Sequence, residues 1–323
     1  VIVAKAKVSV AIITYNQESF LRETLDSVVT QLVNFPIEIV IGDDGSTDGT
    51  QDIIKDYQER FPKIIVPILN KTNIGAGENY KKVLEACAGE YVAHLDGDDL
   101  MLPGKLEAQC QYLDENPTAS ACCHDMEVFE SETGQFIRRY NSRINFKTKT
   151  LSELLRQGAD FCHSSKMFRR STVTAEDLRF PTSVVFDWYM HLLHARYGEI
   201  HFIDGVFGKY RISSNSVVFS NYKKMELVAS DLLKTVDISQ AFGTSQSDRN
   251  YARSRIYFER SLRALELRQF ELFYNFVEQG WQYSDHPSLT SKLLYHGRVF
   301  PKMLSFALNL RRNVSRVIDR NRR

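Results

Sequence analysis

No apolar run in the 323 residues reaches the roughly 18 needed to span a bilayer, so no membrane-crossing helix is expected. The opening stretch Val1–Lys7 is too short and too mixed to read as a secretory signal. Cysteine is scarce: Cys87, Cys110, Cys122, Cys123 and Cys162 make an odd set with no CxxC spacing. That speaks against a disulfide framework and for reduced thiols, with a cytoplasmic address expected. Cys122-Cys123 beside His124 invites a metal reading. Structural zinc sites need spaced pairs, however, so two small buried residues on a strand is the preferred reading. A charge excess of either sign is also missing, with 41 Lys/Arg against 40 Asp/Glu. Eight of those cations lie between Arg298 and Arg323, where Asp319 is the one acid, so the remainder is mildly acidic. This distribution excludes a nucleic-acid binder, whose basic residues would spread over a folded face. Glycine-rich phosphate loops are missing as well. The nearest approach to a dinucleotide fingerprint, Gly75-Ala76-Gly77-Glu78-Asn79-Tyr80, lacks the last glycine and follows the third strand, against a dehydrogenase. No basic Gly-rich loop stands near the N-terminus, which counts against a sugar nucleotidyltransferase. No internal repeat or low-complexity tract is present.

What is present is an ordinary globular composition, 43% hydrophobic and 25% charged, arranged as alternating strand-like and helix-like segments. Val8–Ile13 is an apolar run broken only by Ser9, the pattern of a strand covered on both faces. Glu18–Leu32 carries apolar residues at helical spacing (Phe20, Leu21, Leu25, Val28, Val29, Leu32). Ile37–Ile41, Ile64–Leu69 and Tyr91–Leu95 read as further strands, with helices over Thr50–Phe61 and Gly77–Ala88. Such alternation predicts a mostly parallel α/β sheet flanked by helices, with ligands beyond the carboxyl ends of the strands. A helix from Pro103 to Glu115, strands over Ala119–Phe129 and Phe136–Tyr140, and a short helix over Leu151–Gln157 follow. Lys166–Arg169 reads as a short strand, Val185–Tyr197 as helix and Ile200–Ile212 as extended chain. From about Tyr222 the pattern becomes long amphipathic helices.

The polar residues fall at the strand ends: Thr14-Tyr15-Asn16, Asp43-Asp44, Asn70–Asn73, and Asp96-Gly97-Asp98-Asp99. Helix capping explains any one of these, but explains four converging loops poorly. Carboxylates crowded at a strand end repel one another unless a hard divalent cation neutralises them. Magnesium and manganese bind through one or two carboxylates plus substrate phosphates, so Asp96 and Asp98 are candidate ligands, with Gly97 leaving room for close backbone approach.

Over roughly residues 7–215 the sequence resembles the inverting, nucleotide-sugar-dependent family 2 glycosyltransferases of GT-A (Rossmann-like) fold. The resemblance lies in the ordered series Val8–Glu18, Glu38–Thr50 with its Gly42-Asp43-Asp44-Gly45-Ser46 core, Asn73-Ile74-Gly75 with Asn79, and Gly89–Asp99 followed by Pro103 and Lys105-Leu106-Glu107. It implies that Thr14 and Tyr15 line a nucleotide base, with Tyr15 stacking on it, that Asn16 belongs to the same nucleotide-sugar site, and that Asp43 accepts a hydrogen bond from a uracil-type imide. It implies that Glu18 and Asp44 support the same pocket; helix capping is the other reading for both. Asn73 would lie near ribose or diphosphate, Asp96 near ribose and metal, and Asp98 directly on Mn2+ or Mg2+. Asp187, in Phe186-Asp187-Trp188-Tyr189, resembles the family's catalytic base, although it also opens a helix. His163–Arg170 resembles a segment on the acceptor side. Tyr210-Arg211 resembles a pair usually followed, two positions on, by a histidine that touches metal or diphosphate. Here that position is Ser213, so Arg211 is expected either to carry diphosphate charge or to form a structural salt bridge. His94 reads as a core residue.

The resulting expectation is a GT-A domain over 1–220, its nucleotide-binding half 1–100 and its acceptor half 101–220, with a helical C-terminal extension over 221–323. Its function would be inverting transfer from a UDP-sugar to a glycan hydroxyl, in surface polysaccharide or lipid-linked glycan synthesis. A non-catalytic nucleotide-sugar-binding module is the alternative. Residues 288–323 combine apolar and basic positions, as a helix on an anionic membrane surface would; the other reading packs that helix on the domain.

Overall fold

The computed structural model describes residues 5–141, 147–179, 186–212 and 222–306. Contacts cluster into two compact units, Val1–Leu154 with Gly158–Val218, and Leu155–Gln157 with Phe219–Arg323.

In the first unit β1 (Val8–Thr14), α1 (Leu21–Val29), β2 (Ile37–Asp43), α2 (Thr50–Arg60), β3 (Ile65–Leu69), α3 (Ala76–Ala86) and β4 (Tyr91–Asp96) alternate. The strands lie parallel in the order β3-β2-β1-β4. Val8, Val10, Ala11 and Ile12 are all fully buried, which is why β1 reads as a continuous run: both of its faces are covered. Register then sets up the site. Thr14 pairs with Asp43 and Ile13 with Asp96, so the ends of β1, β2 and β4 emerge side by side.

The chain continues through β5 (Leu100–Met101), α4 (Lys105–Glu115), β6 (Ala121–Glu130), β7 (Phe136–Arg139), β8 (Thr148–Lys149) and α5 (Leu151–Gln157). A single 3-10 turn, His163–Ser165, leads into β9 (Met167–Arg169), and α6 (Asp187–Ala195) and β10 (Ile200–Ile212) follow. Short β9 lies antiparallel between β4 and β6, and long β10 runs parallel beside β6. The extended ladders are therefore parallel, while the antiparallel ones span two or three residue pairs each.

One local expectation is corrected. The first helix begins at Leu21, because residues 17–20 form a turn in which Gln17 O accepts from Phe20 N and Leu21 N. It ends before Leu32, which is 89% exposed rather than on the apolar face. Thr30 Oγ1 bonds back to Asp26 O, and Gln31 Nε2 reaches Ser27 O and Leu102 O, closing the helix early. His124 lies inside β6, fully buried. Cys122 and Cys123 are buried free thiols on that strand.

The second unit is helical: α7 (Tyr222–Ile238), α8 (Gln246–Glu266), α9 (Phe270–Gln282) and α10 (Leu289–Gly297). Ser245 caps α8 by accepting from Asp248 N. Phe258, Leu265, Phe273, Phe276, Val277 and Leu294 form its core, each large side chain contributing about 1.5–3 kcal/mol on burial. Trp281 stacks on Tyr295 at 4.0 Å. Residues 307–323 of the basic stretch, and Ser213, lie outside the described residues.

Candidate active site

The loops at the strand ends are tied to one another before any ligand is considered. Asn16 adopts φ 51°, a left-handed conformation that asparagine tolerates. From there its N donates to Ser46 Oγ (2.8 Å) and its Oδ1 accepts from Thr47 N (2.9 Å), joining the loop after β1 to the loop after β2. Glu18 accepts from Gly49 N (3.0 Å), so it caps the start of α2, a helix distant in sequence from its own. Asp43 is fully buried and accepts from Ser46 N (3.0 Å), Ser46 Oγ and Gln51 Nε2 (2.6 Å). Asp44 accepts from Ile74 N (2.7 Å) and Gly75 N (3.1 Å), anchoring the loop on which Asn73 stands exposed.

The acidic loop is held as tightly. Asp96 Oδ1 meets His94 Nε2 at 3.0 Å, and its Oδ2 and backbone N both bond Ser164 Oγ, at 3.2 and 3.1 Å. Burial alone would raise the Asp96 carboxyl; His94, Ser164 and Lys105 outweigh it and hold the group below the usual carboxylate range. Asp98 is the opposite case. Burial, reinforced by the charge of Asp96, pushes it up to about 6. Asp99 turns inward: it is 1% exposed, accepts from Arg211 N at 3.0 Å through Oδ1, and its Oδ2 has no hydrogen-bond partner. Burial, then Asp98 and Asp96, drive its carboxyl well up.

Arg211 makes a salt bridge, one of the two roles the sequence left open. Its Nε donates to Asp98 O (2.7 Å), its Nη2 to Glu23 Oε2 (2.6 Å), and its guanidinium lies 4.8 Å from the Phe20 ring and 4.6 Å from the Phe129 ring. Through these contacts Arg211 positions the acidic loop, with two of its five N–H groups engaged.

A cavity of about 210 Å³ opens where these loops meet, lined by Ile13, Thr14, Tyr15, Gln17, Asp44, Ala76, Asn79, Asp96 and Asp98. Of the expected base, ribose and metal residues, Thr14, Tyr15, Asp44, Asp96 and Asp98 are thus brought together, with the Tyr15 ring 45% exposed. Asn16, Glu18, Asp43, Asn73 and Gly97 stand behind or beside the lining. Among the described residues no group of three or more His, Cys, Asp or Glu could hold a metal ion. What the cavity offers is a pair of carboxylates whose mutual repulsion is visible in Asp98. That pair fits a Mn2+ or Mg2+ that takes its remaining ligands from phosphate oxygens and water.

Gly97 is required by space. A Cβ there would lie 2.3 Å from Gln17 Oε1, 2.9 Å from Thr14 Cβ and 3.0 Å from Ile13 O. The glutamine could swing away, but Thr14 and the β1 backbone cannot. Gly97 is also pinned by Ile13 O accepting from its N and by Thr24 Oγ1 donating to its O (2.9 Å). Gly97→Ala should therefore cost about 1–3 kcal/mol by overpacking, measurable by urea denaturation; an unchanged midpoint would show that the loop can shift.

Asp187 opens α6, and its Oδ1 accepts from Trp188 N at 2.7 Å. Its side chain reaches solvent. Desolvation by the surrounding protein comes first, and the charge of Asp96 adds to it, so its carboxyl is raised. Beneath lies a buried histidine layer: the His94 and His163 rings are 3.8 Å apart, His163 and His191 5.2 Å, and Lys166 Nζ meets His191 Nδ1 at 3.0 Å. Desolvation pushes Lys166 down to about 7 and Lys105 to about 8. Sequence reasoning read His94 as core, placed Ser164 in an acceptor-side segment and gave no role to Gln17, Asn79 or Lys105; all five shape the site. For His94 a signal existed, since period two on β4 puts it on the same face as Asp96.

Comparison with known proteins places this geometry. Residues 9–174 match the family model for glycosyl transferase family 2. An uncharacterized protein of Mycobacterium tuberculosis is 36% identical over 216 residues, 66% of this chain and 61% of its own length. The chain thus spans about 61% of that relative. An uncharacterized glycosyltransferase of Methanocaldococcus jannaschii is 27% identical over 72% of this chain and 79% of its own. Among solved structures, Staphylococcus aureus TarS 1-349 in complex with UDP-GlcNAc superposes with TM-score 0.57 at 20% identity, covering 90% of this chain and 92% of that one. A mannosyltransferase from Pyrobaculum calidifontis in complex with GDP-Man and Mn2+ gives 0.57 at 18% identity, over 94% and 84%. These likenesses show a GT-A-like fold. With the matched segment carrying β1 through β9 and every loop around the cavity, the chain belongs to glycosyl transferase family 2.

Proposed function

We propose that this chain moves a sugar from a UDP-sugar to a hydroxyl of a glycan acceptor, with inversion at the anomeric carbon. The observation that carries the reading is the cavity, which joins an exposed aromatic ring, Tyr15, to the carboxylate pair Asp96 and Asp98 at the ends of adjacent strands. The Tyr15 ring provides a stacking face for the base. The imide contact shifts from Asp43, which is enclosed, to Asp44, which lines the cavity. Each Asp44 oxygen already accepts one backbone N–H, and a carboxylate oxygen has a second lone pair for a ligand. Asn73 and Asn16 are assigned to the rim of the same pocket.

Asp98, with Asp96, would hold Mn2+ or Mg2+, and such a cation, when bound, stabilises negative charge on the departing diphosphate. Asp187 accepts the proton of the acceptor hydroxyl as its oxygen bonds to the anomeric carbon. The bond from that carbon to the diphosphate oxygen breaks, and its electron pair leaves with UDP. Attack from the face opposite the departing diphosphate gives inversion. The acceptor assigned is a glycan of surface-polysaccharide or lipid-linked type, with the reaction on the cytoplasmic side. No helix among the described residues is long and apolar enough to cross a membrane.

Thermal unfolding with nucleotides and Mn2+ tests the reading. UDP with Mn2+ should raise the melting temperature, since ligand at 100 times its Kd adds about 2.7 kcal/mol of stability. GDP should do less, and incubation with UDP-sugars should release UDP. Stabilisation by GDP alone would overturn the base assignment. Binding without release from any donor in the presence of acceptor glycans would establish the non-catalytic module instead.

A further inference from the structure

The helical unit leaves an apolar face uncovered. Fifteen large hydrophobic residues are exposed among the described residues, and six of them, Leu289, Leu293, Val299, Phe300, Met303 and Phe306, fall within eighteen consecutive positions at 59–75% exposure. Scattered single residues of this kind need no explanation, but a contiguous group marks an interaction surface. The segment is apolar on two sides. Leu294 is buried in the core of the unit and Leu304 packs against that core, while the six point outward.

Charge identifies the occupant. Exposed Lys292 and Lys302 flank the open residues. Over 289–323 the sequence carries nine Lys/Arg and a single acid, Asp319. A second copy of the same cationic segment would be repelled, and an apolar protein groove would not call for the cations. An anionic lipid surface satisfies both features: acyl chains receive the apolar side chains, and headgroups receive the Lys and Arg.

We propose that Leu289–Phe306 is a docking face for an anionic bilayer, lying in the headgroup region without crossing it. This rests on no part of the transferase reading.

The test is flotation of the full chain with vesicles of phosphatidylcholine alone, or containing about 30 mol% phosphatidylglycerol. Binding is expected only with the anionic lipid, weakened at about 0.5 M NaCl where screening shortens the reach of the charges. The triple variant Leu293→Glu, Phe300→Glu, Met303→Glu should lose vesicle binding by about tenfold or more while keeping its melting temperature and UDP stabilisation, because these side chains are mostly exposed and lie outside the core of the unit. Equal flotation of wild type and variant would overturn the proposal. So would a wild type that fails to float and sediments as a dimer while the variant sediments as a monomer, which would assign the face to a second copy. Because nucleotide binding is read separately, failure here leaves the transferase reading standing.

Discussion

Asp98→Ala is expected to reduce UDP release by about 10³-fold or more, the loss that follows when several kcal/mol of transition-state charge stabilisation are removed. The substitution should leave the fold intact, for a specific reason. Arg211 holds this loop through the carbonyl oxygen of Asp98, and the side chain carries no part of that contact. The native carboxyl is itself a strained group, raised to about 6 first by burial and then by Asp96. A carboxyl raised in the folded state binds more protons there than in the unfolded chain between about pH 4 and 6, so its contribution to stability declines as pH rises through that window. At pH 8, without added metal, Asp98→Ala should therefore melt no lower than the wild type. With Mn2+ and UDP the order should reverse, the wild type gaining stability and the variant gaining none. A variant still stabilised by Mn2+ and UDP to the wild-type extent would remove Asp98 as the ligand.

That prediction draws on two kinds of information, and the sequence carried them unequally. The strands were legible because burial on both faces of a parallel sheet writes an unbroken apolar run, as in Val8–Ile13. Once β1, β2 and β4 are recognised, the position of Thr14, Asp43-Asp44 and Asp96–Asp99 at one edge follows from parallel topology. The division of labour inside the acidic loop was less accessible. A loop has no fixed period, so the choice of Asp98 as direct ligand rested on the family resemblance, and nothing in Asp96-Gly97-Asp98-Asp99 itself says that Asp99 turns inward. The partners that decide it are remote: Arg211 lies 112 positions from Asp99, and Ser164 lies 68 from Asp96. For the same reason Glu18 and Asp44 could be read as caps without their targets being evident, since Glu18 caps a helix from another loop. Arg211 shows the limit most clearly. Its pairing with Glu23 and its position between Phe20 and Phe129 exist only when β10 lies next to the start of α1.

Asp187→Asn should lower transfer to acceptor by about 10²–10⁴-fold, the range for a positioned general base, while leaving UDP binding unchanged. The amide keeps the oxygen that accepts from Trp188 N, so α6 retains its first hydrogen bond. Asparagine caps a helix about as well as aspartate, so the substitution keeps the cap and removes the basic group. Asp187 is raised above its ordinary range by desolvation and by Asp96, against the favourable Trp188 N–H. Its ionised form therefore weakens the fold as pH rises through the raised value, and the neutral asparagine should melt at the wild-type temperature or above it at neutral pH. The pH profile gives an independent check. A base must be deprotonated to act, so wild-type transfer should climb with pH across the raised carboxyl, and the residual rate of the variant should lack that limb. Transfer preserved in the variant would return Asp187 to the role of cap. Loss of transfer with stability retained leaves proton acceptance from the acceptor as the work this carboxylate performs.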